Sequence, residues 1–198
     1  HLLLTSSSPP PLRYYHNKII TFKLTKLPAG YPDGRSLPER STPNLADYFG
    51  RGWCCTEPSV SCLTKDSDMV LDLGKFTGPE DDLWDVIEEC AASRSPPLLP
   101  ADFDAQLATK SFTNGKTDRP LVSRLYKGAF DEEMAEATGL YYARLGWGDA
   151  EVAALCKVIR SGALENCLAI DLSENQIGDA GCTAIAEAIA GGALANLD

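Results

Sequence analysis

The sequence predicts a mixed α/β chain. It reads as a Ser/Pro-rich arm over residues 1–16, a small α/β domain over 17–138, and a short repeated strand–helix segment over 139–198. Two observations predict this. Up to residue 138, short β-branched or apolar runs alternate with amphipathic stretches, separated by Gly and Pro. Beyond that point the chain resembles itself at an offset of about 30 residues, a period that marks stacked strand–helix units.

Composition sets the outer limits. At 198 residues, 44% hydrophobic and 23% charged, the chain is long enough for a substantial core and too apolar to be disordered throughout. Lys and Arg number 18 against 28 Asp and Glu, a formal charge of −10. Such a surface repels phosphate backbones and anionic headgroups, so nucleic acid and membrane surfaces are poor partners. No apolar run approaches the roughly 20 residues of a spanning helix, which argues against direct membrane insertion.

The charge is unevenly spread. Residues 1–32 hold no Asp or Glu, yet carry Arg13, Lys18, Lys23 and Lys26 beside Ser6-Ser7-Ser8 and Pro9-Pro10-Pro11. Two readings fit this stretch: a flexible solvated arm, or the remnant of an organelle transit peptide. The first residue is His, which points to processing or to a fragment of a longer protein. The seven cysteines include no C-x-x-C pair, and no Asn-x-Ser/Thr sequon occurs, so reduced thiols inside the cell fit better than a secreted disulfide scaffold. The expected compartment is the cytoplasm, or a plastid interior if the arm is a transit-peptide remnant. Cys90, Cys156 and Cys182 fall on apolar helical faces as small hydrophobes.

Each element has its own signals. The β-branched and aromatic run over 18–27, closed by Pro28-Ala29-Gly30, predicts a strand. Residues 31–43, rich in Pro and without apolar period, predict a loop. A helix is expected over 45–63, starting near Asn44 or Asp47, with Pro58 breaking or kinking it. Residues 69–73, stopped by Gly74, predict a short buried strand. The next helix has Pro79 in its first turn, Glu80, Asp81 and Asp82 at the positive end of its dipole, and a stripe of Leu83, Val86, Ile87 and Cys90. A shorter helix follows over 101–110, and Asn114-Gly115 predicts a tight turn. Asp118 and Pro120 open a helix carrying Leu121, Leu125, Phe130 and Met134, which ends before Gly139.

The last third aligns with itself. Gly148-Asp149-Ala150 falls on Gly178-Asp179-Ala180, and Gly162-Ala163-Leu164 falls on Gly192-Ala193-Leu194. Two unrelated amphipathic helices would share an apolar stripe but not these matched openings and closings. Within the second unit, Ile170 and Leu172 are expected to point inward from a strand, with Ala169, Asp171 and Ser173 outward. Asn175 stands where the chain turns away, its amide able to satisfy backbone groups that no ladder reaches. Gly178 and Gly181 relieve crowding at the turn, and Ile185 and Ile189 pack the helix on the strand. In the first unit Leu140 and Tyr142 take the inward positions, Leu145 replaces the Asn, and Trp147 replaces the aliphatic Ile177 as a packing plug against the preceding domain.

The run from Cys167 to Gly181 resembles the L-x-x-L-x-L-x-x-N-x-I-G-D-x-G core of ribonuclease-inhibitor-type leucine-rich repeats. That resemblance implies a β-α solenoid segment, a capping repeat plus one regular repeat, and a protein-binding role. Roughly three or more units are needed for a self-sufficient stack, so the array is expected to continue beyond this sequence or to meet another chain.

One segment could carry chemistry. Trp53-Cys54-Cys55-Thr56-Glu57 resembles the Trp-Cys-x-x-Glu segment of Toll/interleukin-receptor (TIR) domains, over about residues 17–75. In enzymatic members the Glu cleaves NAD, which implies Glu57 as a catalytic residue positioned by Trp53 and Cys54. The alternative is that Trp53 belongs to the core and Glu57 caps or pairs locally. The longer Arg51-Gly52-Trp53-Cys54-x-x-Glu57 segment followed by leucine-rich repeats is also similar to large protein families of unicellular algae, which supports the architecture and implies no activity.

Other chemistries find no support. His1 and His16, both in the arm, are the two histidines, which argues against a His-based triad or a zinc site. Gly50-Arg51-Gly52 alone is a weak phosphate-loop signal. Glu80-Asp81-Asp82 and Asp131-Glu132-Glu133 read as a helix start and a solvated helical face. The sequence thus points to a non-enzymatic interaction protein, a scaffold or linker and a structural subunit of a larger assembly. It is expected to have no cofactor and to meet its protein partner through Tyr141, Ala143, Asp171 and Ser173. A TIR-like NAD hydrolase using Glu57 is the alternative.

Overall fold

The computed structural model describes residues 20–26, 46–78, 82–91, 93–192 and 194; the arm over 1–16 and the loop over 31–43 lie outside them. In chain order the elements are β1 (Thr21–Lys23), α1 (Gly52–Ser61), a 3-10 turn (Ser67–Met69), β2 (Val70–Asp72), α2 (Leu83–Cys90), α3 (Pro100–Ala108), α4 (Gly115–Glu136), β3 (Gly139–Tyr141), α5 (Asp149–Arg160), β4 (Ala169–Asp171) and α6 (Asp179–Ala190). The class is mixed α/β, with short parallel pairs β1–β2 and β3–β4. Among the described residues no helix is long and apolar enough to cross a membrane.

β1 pairs with β2 in the register Thr21 to Val70. β1 covers only Thr21–Lys23 of the strand expected over 18–27, of which residues 18, 19 and 27 lie outside the described ones, and its faces are unusual: Phe22 is 53% exposed, whereas Lys23 is buried. Period-two alternation leaves only one of two neighbours inside. Here the inside position holds a cation.

The helix expected over 45–63 begins later, at Gly52. Asp47 instead holds a turn, its backbone carbonyl accepting from Gly50 N at 3.1 Å. A bridge then ties Gly52 N to Ser111 O and Ser111 N to Gly50 O. Glycine is required at 52 because a Cβ there would lie 1.9 Å from the Phe112 ring. Pro58 sits inside α1 without breaking it, contrary to expectation, and the helix runs on to Ser61. Nearby hydroxyls add bonds to its carbonyls: Thr56 Oγ1 donates to Gly52 O at 2.7 Å and Ser59 Oγ to Cys55 O at 2.8 Å. The N–H missing at Pro58 would have paired with Cys54 O, so these bonds reinforce the flanking turns rather than replace it.

α2 also starts later than its acidic run suggests. Asp82 is its N-cap rather than a first-turn residue, with Oδ1 accepting from Trp84 N and Asp85 N at 2.7 and 3.0 Å. Its stripe is not buried as expected. Cys90 is fully covered against β2, but Leu83 is 58% and the unforeseen Trp84 74% exposed. The helix meets the core through its C-terminal end, where Ala91 bridges to Leu71.

α3 opens on Pro100, as a first-turn proline should, and buries Phe103 and Leu107. α4 starts at Gly115 with Asn114 as its N-cap, so Asn114-Gly115 initiates the helix instead of a separate turn. Its buried face is Val122, Tyr126, Ala129, Phe130 and Met134, while Leu121 and Leu125 are half-buried. Phe130 and Met134 of the expected stripe are buried, while in the first half of the helix Val122 and Tyr126 take the inside places expected of Leu121 and Leu125. The Tyr126 ring stacks on Phe103 at 3.7 Å between centroids. Its hydroxyl donates to Leu98 O at 2.8 Å and accepts from Leu98 N at 3.0 Å.

One buried cluster runs from Leu63 through α3 and α4 into β3, α5 and on to Leu194. Polar bonds follow the same seam. Leu168 N donates to Thr138 O at 2.9 Å, Asn166 Nδ2 to Ala135 O at 2.8 Å, and the Tyr142 hydroxyl to Leu63 O. Trp147 is 1% exposed, packs against Tyr142 and donates its indole N–H to Arg94 O at 2.6 Å. The residue expected as a plug fills the joint between the two parts of the chain.

Candidate functional site

The two C-terminal units repeat in space as they do in sequence. β3 and β4 pair in parallel with Gly139 opposite Ala169, Leu140 opposite Ile170 and Tyr141 opposite Asp171, a uniform step of 30 residues. α5 and α6 start and end at matching positions, and Arg144 and Glu174 are both left-handed, with φ of 59° and 54°. These two non-glycine residues accept a conformation that costs ordinary side chains energy. Their side chains then meet across the repeat, Arg144 Nη2 lying 2.7 Å from Glu174 Oε1. This hydrogen bond pushes the Arg144 pKa up and the Glu174 carboxyl down. Opposite charges at equivalent repeat positions were the available sequence signal for this pair, which the sequence reading missed.

Two side chains lock the units together. Asn175 Oδ1 accepts from Leu145 N and Trp147 N, both at 3.0 Å, while its Nδ2 donates to Tyr142 O at 2.7 Å and Leu172 O at 3.0 Å. Asp149 Oδ1 accepts from Gly178 N at 2.7 Å and Gly181 N at 3.0 Å, so the carboxylate of one helix start caps the next. A Cβ on Gly181 would come within 2.6 Å of both Asp149 Oδ1 and Ile177 Cγ2, which explains the glycine.

Locked in this way, the strands present a face with no other described strand across it. Tyr141 is 48% exposed, its ring folded over Gly139, where a Cβ would lie 2.8 Å from the hydroxyl. Ala143 and Asp171 are half-buried and Ser173 is exposed. Hydrogen bonds from the Ser173 side chain and then from Ser173 N, at 2.9 Å to Asp171 Oδ1, hold the Asp171 carboxyl below the usual range. All four expected contact residues thus lie along the strands and the turns that follow them.

The second unit is more open than the first. Leu140, Val152, Leu155 and Ile159 are fully covered, whereas their counterparts Ile170 and Ile185 are half-buried, Ile189 is 37% exposed and Cys182 is exposed. Cys182 was expected to be a buried hydrophobe like Cys90 and Cys156, which are. It differs because α6 has a helical neighbour, α5, on one side only among the described residues. None of the seven cysteines forms a disulfide.

The Trp-Cys-x-x-Glu segment forms the first half of α1. Trp53 packs half-buried against the core and donates its indole N–H to Asp118 Oδ2 at 3.1 Å. Burial pushes the Cys54 and Cys55 thiols up, so neither is a ready thiolate. Glu57 is exposed.

A cavity of about 570 Å³ opens at the seam, where α1 and residues 93–98 face the turn into α5. Cys55, Pro58 and Ser59 line it from α1 and Cys62 from the helix C-cap, and Glu57 does not. Lys23 and Arg94 line it as cations; burial lowers the Lys23 pKa, and Lys65 nearby is lowered by burial to about 8. Arg94 lies 5.2 Å over the Tyr142 ring and donates through Nη2 to Lys65 O. The sequence carried no signal for this assembly. Its members are spread from residue 23 to residue 154 and meet only through tertiary packing. Among the described residues no group of His, Cys, Asp or Glu could hold a metal ion. Compared with known proteins, the chain matches no family model, no curated protein and no solved structure.

Proposed function

We propose that this chain is a non-enzymatic interaction protein, a scaffold or linker, whose segment 139–198 is a leucine-rich repeat of the ribonuclease-inhibitor type. Tyr141, Ala143, Asp171 and Ser173 form its partner-binding face. The observation that supports this reading most is the single 30-residue step shared by strand register, left-handed turns and helix bounds. Such a step places equivalent outward residues side by side, as in solenoids that bind proteins on one face.

The partner is a protein carrying complementary polar and basic groups. Asp171 and the Arg144–Glu174 pair supply direction, and the Tyr141 ring supplies an amphipathic contact of the kind that dominates binding energy. The chain's charge of −10 disfavours nucleic acid in that role. The test is affinity for the native partner with Asp171→Lys and Ser173→Trp variants. Each should weaken binding by about tenfold or more if the face is central. Undiminished binding by both removes this surface from the account.

A further inference from the structure

The cavity at the seam holds charge that the strand face leaves unexplained. We propose that it binds a small amphipathic organic acid, its carboxylate held by Arg94 and Lys23 and its apolar body against Pro58, Pro97 and Trp147.

Arg94 carries the argument. The residue is only 7% exposed, and its Nε and Nη1 have no hydrogen-bond partner among the described residues. Nη2 is engaged by Lys65 O, and the Tyr142 ring beneath offers a π-face but no acceptor for the other donors. A buried guanidinium with unmatched N–H groups is unfavourable until an acceptor arrives, and an anionic acceptor relieves it most. Lys23, 4% exposed, lines the same space.

Asp66 feels the charge of Arg94 but is exposed and does not line the cavity, and two other nearby carboxylates are engaged elsewhere. Asp72 Oδ1 accepts from Thr25 Oγ1 at 2.5 Å and Gly74 N at 2.9 Å. Glu151, which does line the cavity, accepts from Gly148 N at 2.9 Å. Two cations against one occupied carboxylate make a locally positive site in an acidic chain. The remaining wall is largely apolar, and Gln106 Oε1 is a buried acceptor without a donor among the described residues. A ligand with a carboxylate, an apolar body and one hydroxyl or N–H donor matches every part, and the volume is that of ordinary small-molecule sites. Inorganic phosphate would leave the apolar wall wet. A neutral acceptor would meet the Arg94 donors with weaker, uncharged hydrogen bonds.

The test is a titration of the isotope-labelled full chain with para-hydroxybenzoate, its neutral isostere para-hydroxybenzamide, and inorganic phosphate, followed by NMR. The acid should shift the Trp147 indole and Arg94 Nε–H signals saturably. The amide should bind at least about tenfold more weakly, the loss expected for one charge-assisted hydrogen bond. Phosphate at equal concentration should move neither signal. Arg94→Gln should lose binding, and Lys23→Met, which keeps an apolar stem and removes a buried charge, should weaken it severalfold while the folded spectrum persists. Equal binding of acid and amide would overturn the proposal. So would equal binding of phosphate, an unaffected Lys23→Met variant, shifts confined to residues outside the cavity, or no shift at about 10 mM acid, a concentration corresponding to negligible affinity.

Discussion

Replacing Asn175 with alanine removes the side chain that joins the two repeat units. Its carbonyl oxygen is the acceptor for Leu145 N and Trp147 N, which belong to residues 3% and 1% exposed. Water does not readily replace an acceptor in such a place, so each stranded N–H costs about 1–2 kcal/mol. The donors to Tyr142 O and Leu172 O sit at a half-buried edge, where water recovers part of their loss. The sum is a destabilisation of about 2–4 kcal/mol, a large part of the roughly 5–15 kcal/mol of a typical domain. For a chain of this length it lowers Tm by roughly 4–16 °C. Urea unfolding followed by tryptophan fluorescence and circular dichroism measures it. Asn166→Ala is the control, since Asn166 is exposed and makes one bond, to Ala135 O; it should lose less than about 1 kcal/mol. If Asn175→Ala costs no more than this control, the interlocking described for the repeat is wrong.

Three further outcomes are expected. Gly181→Ala should cost about 1–3 kcal/mol by the same unfolding assay, because its methyl group would push on Asp149 and Ile177. Lys65 should titrate near 8 by the NMR shift of its ε-carbon, well below the 10.5 of an unperturbed lysine. Its folded pKa is the lower one, so the unfolded chain binds more protons between about pH 8 and 10.5. The stability of the native protein relative to Lys65→Met should therefore rise across that window; a flat difference would contradict the burial cause. Finally, native protein and Glu57→Ala should release nicotinamide from NAD at the same negligible rate, since Glu57 is exposed and does not line the cavity. Turnover abolished by the substitution would replace the interaction reading with the TIR-like one.

What was legible in the sequence was local or periodic. The strand expected over 69–73, the helix expected over 101–110 and the 30-residue step all rest on neighbouring residues or on repetition, and the structure has them within a residue or two of those places. Trp147 was legible because its mismatch with Ile177 stood out against the repeat. Features set by distant partners were not. The start of α1 depends on the Phe112 ring and the Ser111 bridge, and the burial of Tyr126 in place of Leu125 depends on that ring finding Phe103 and Leu98. The inward turn of Lys23 and the Arg94 donors left without a partner among the described residues have no local cause at all. They arise where three stretches far apart in the chain close around one space, so the cavity became visible only in the fold.

The outward strand face at Tyr141, Ala143, Asp171 and Ser173 is proposed to meet a protein partner. Site-specific photo-crosslinking in native extract tests it most directly, with the reactive group placed in turn at Ala143 and Ser173 and, for comparison, at the exposed position Ala186 on α6. The account predicts one discrete crosslinked protein from the two strand-face positions and none from Ala186. Crosslinks from Ala186 alone, or equal indiscriminate labelling from all three positions, would contradict it.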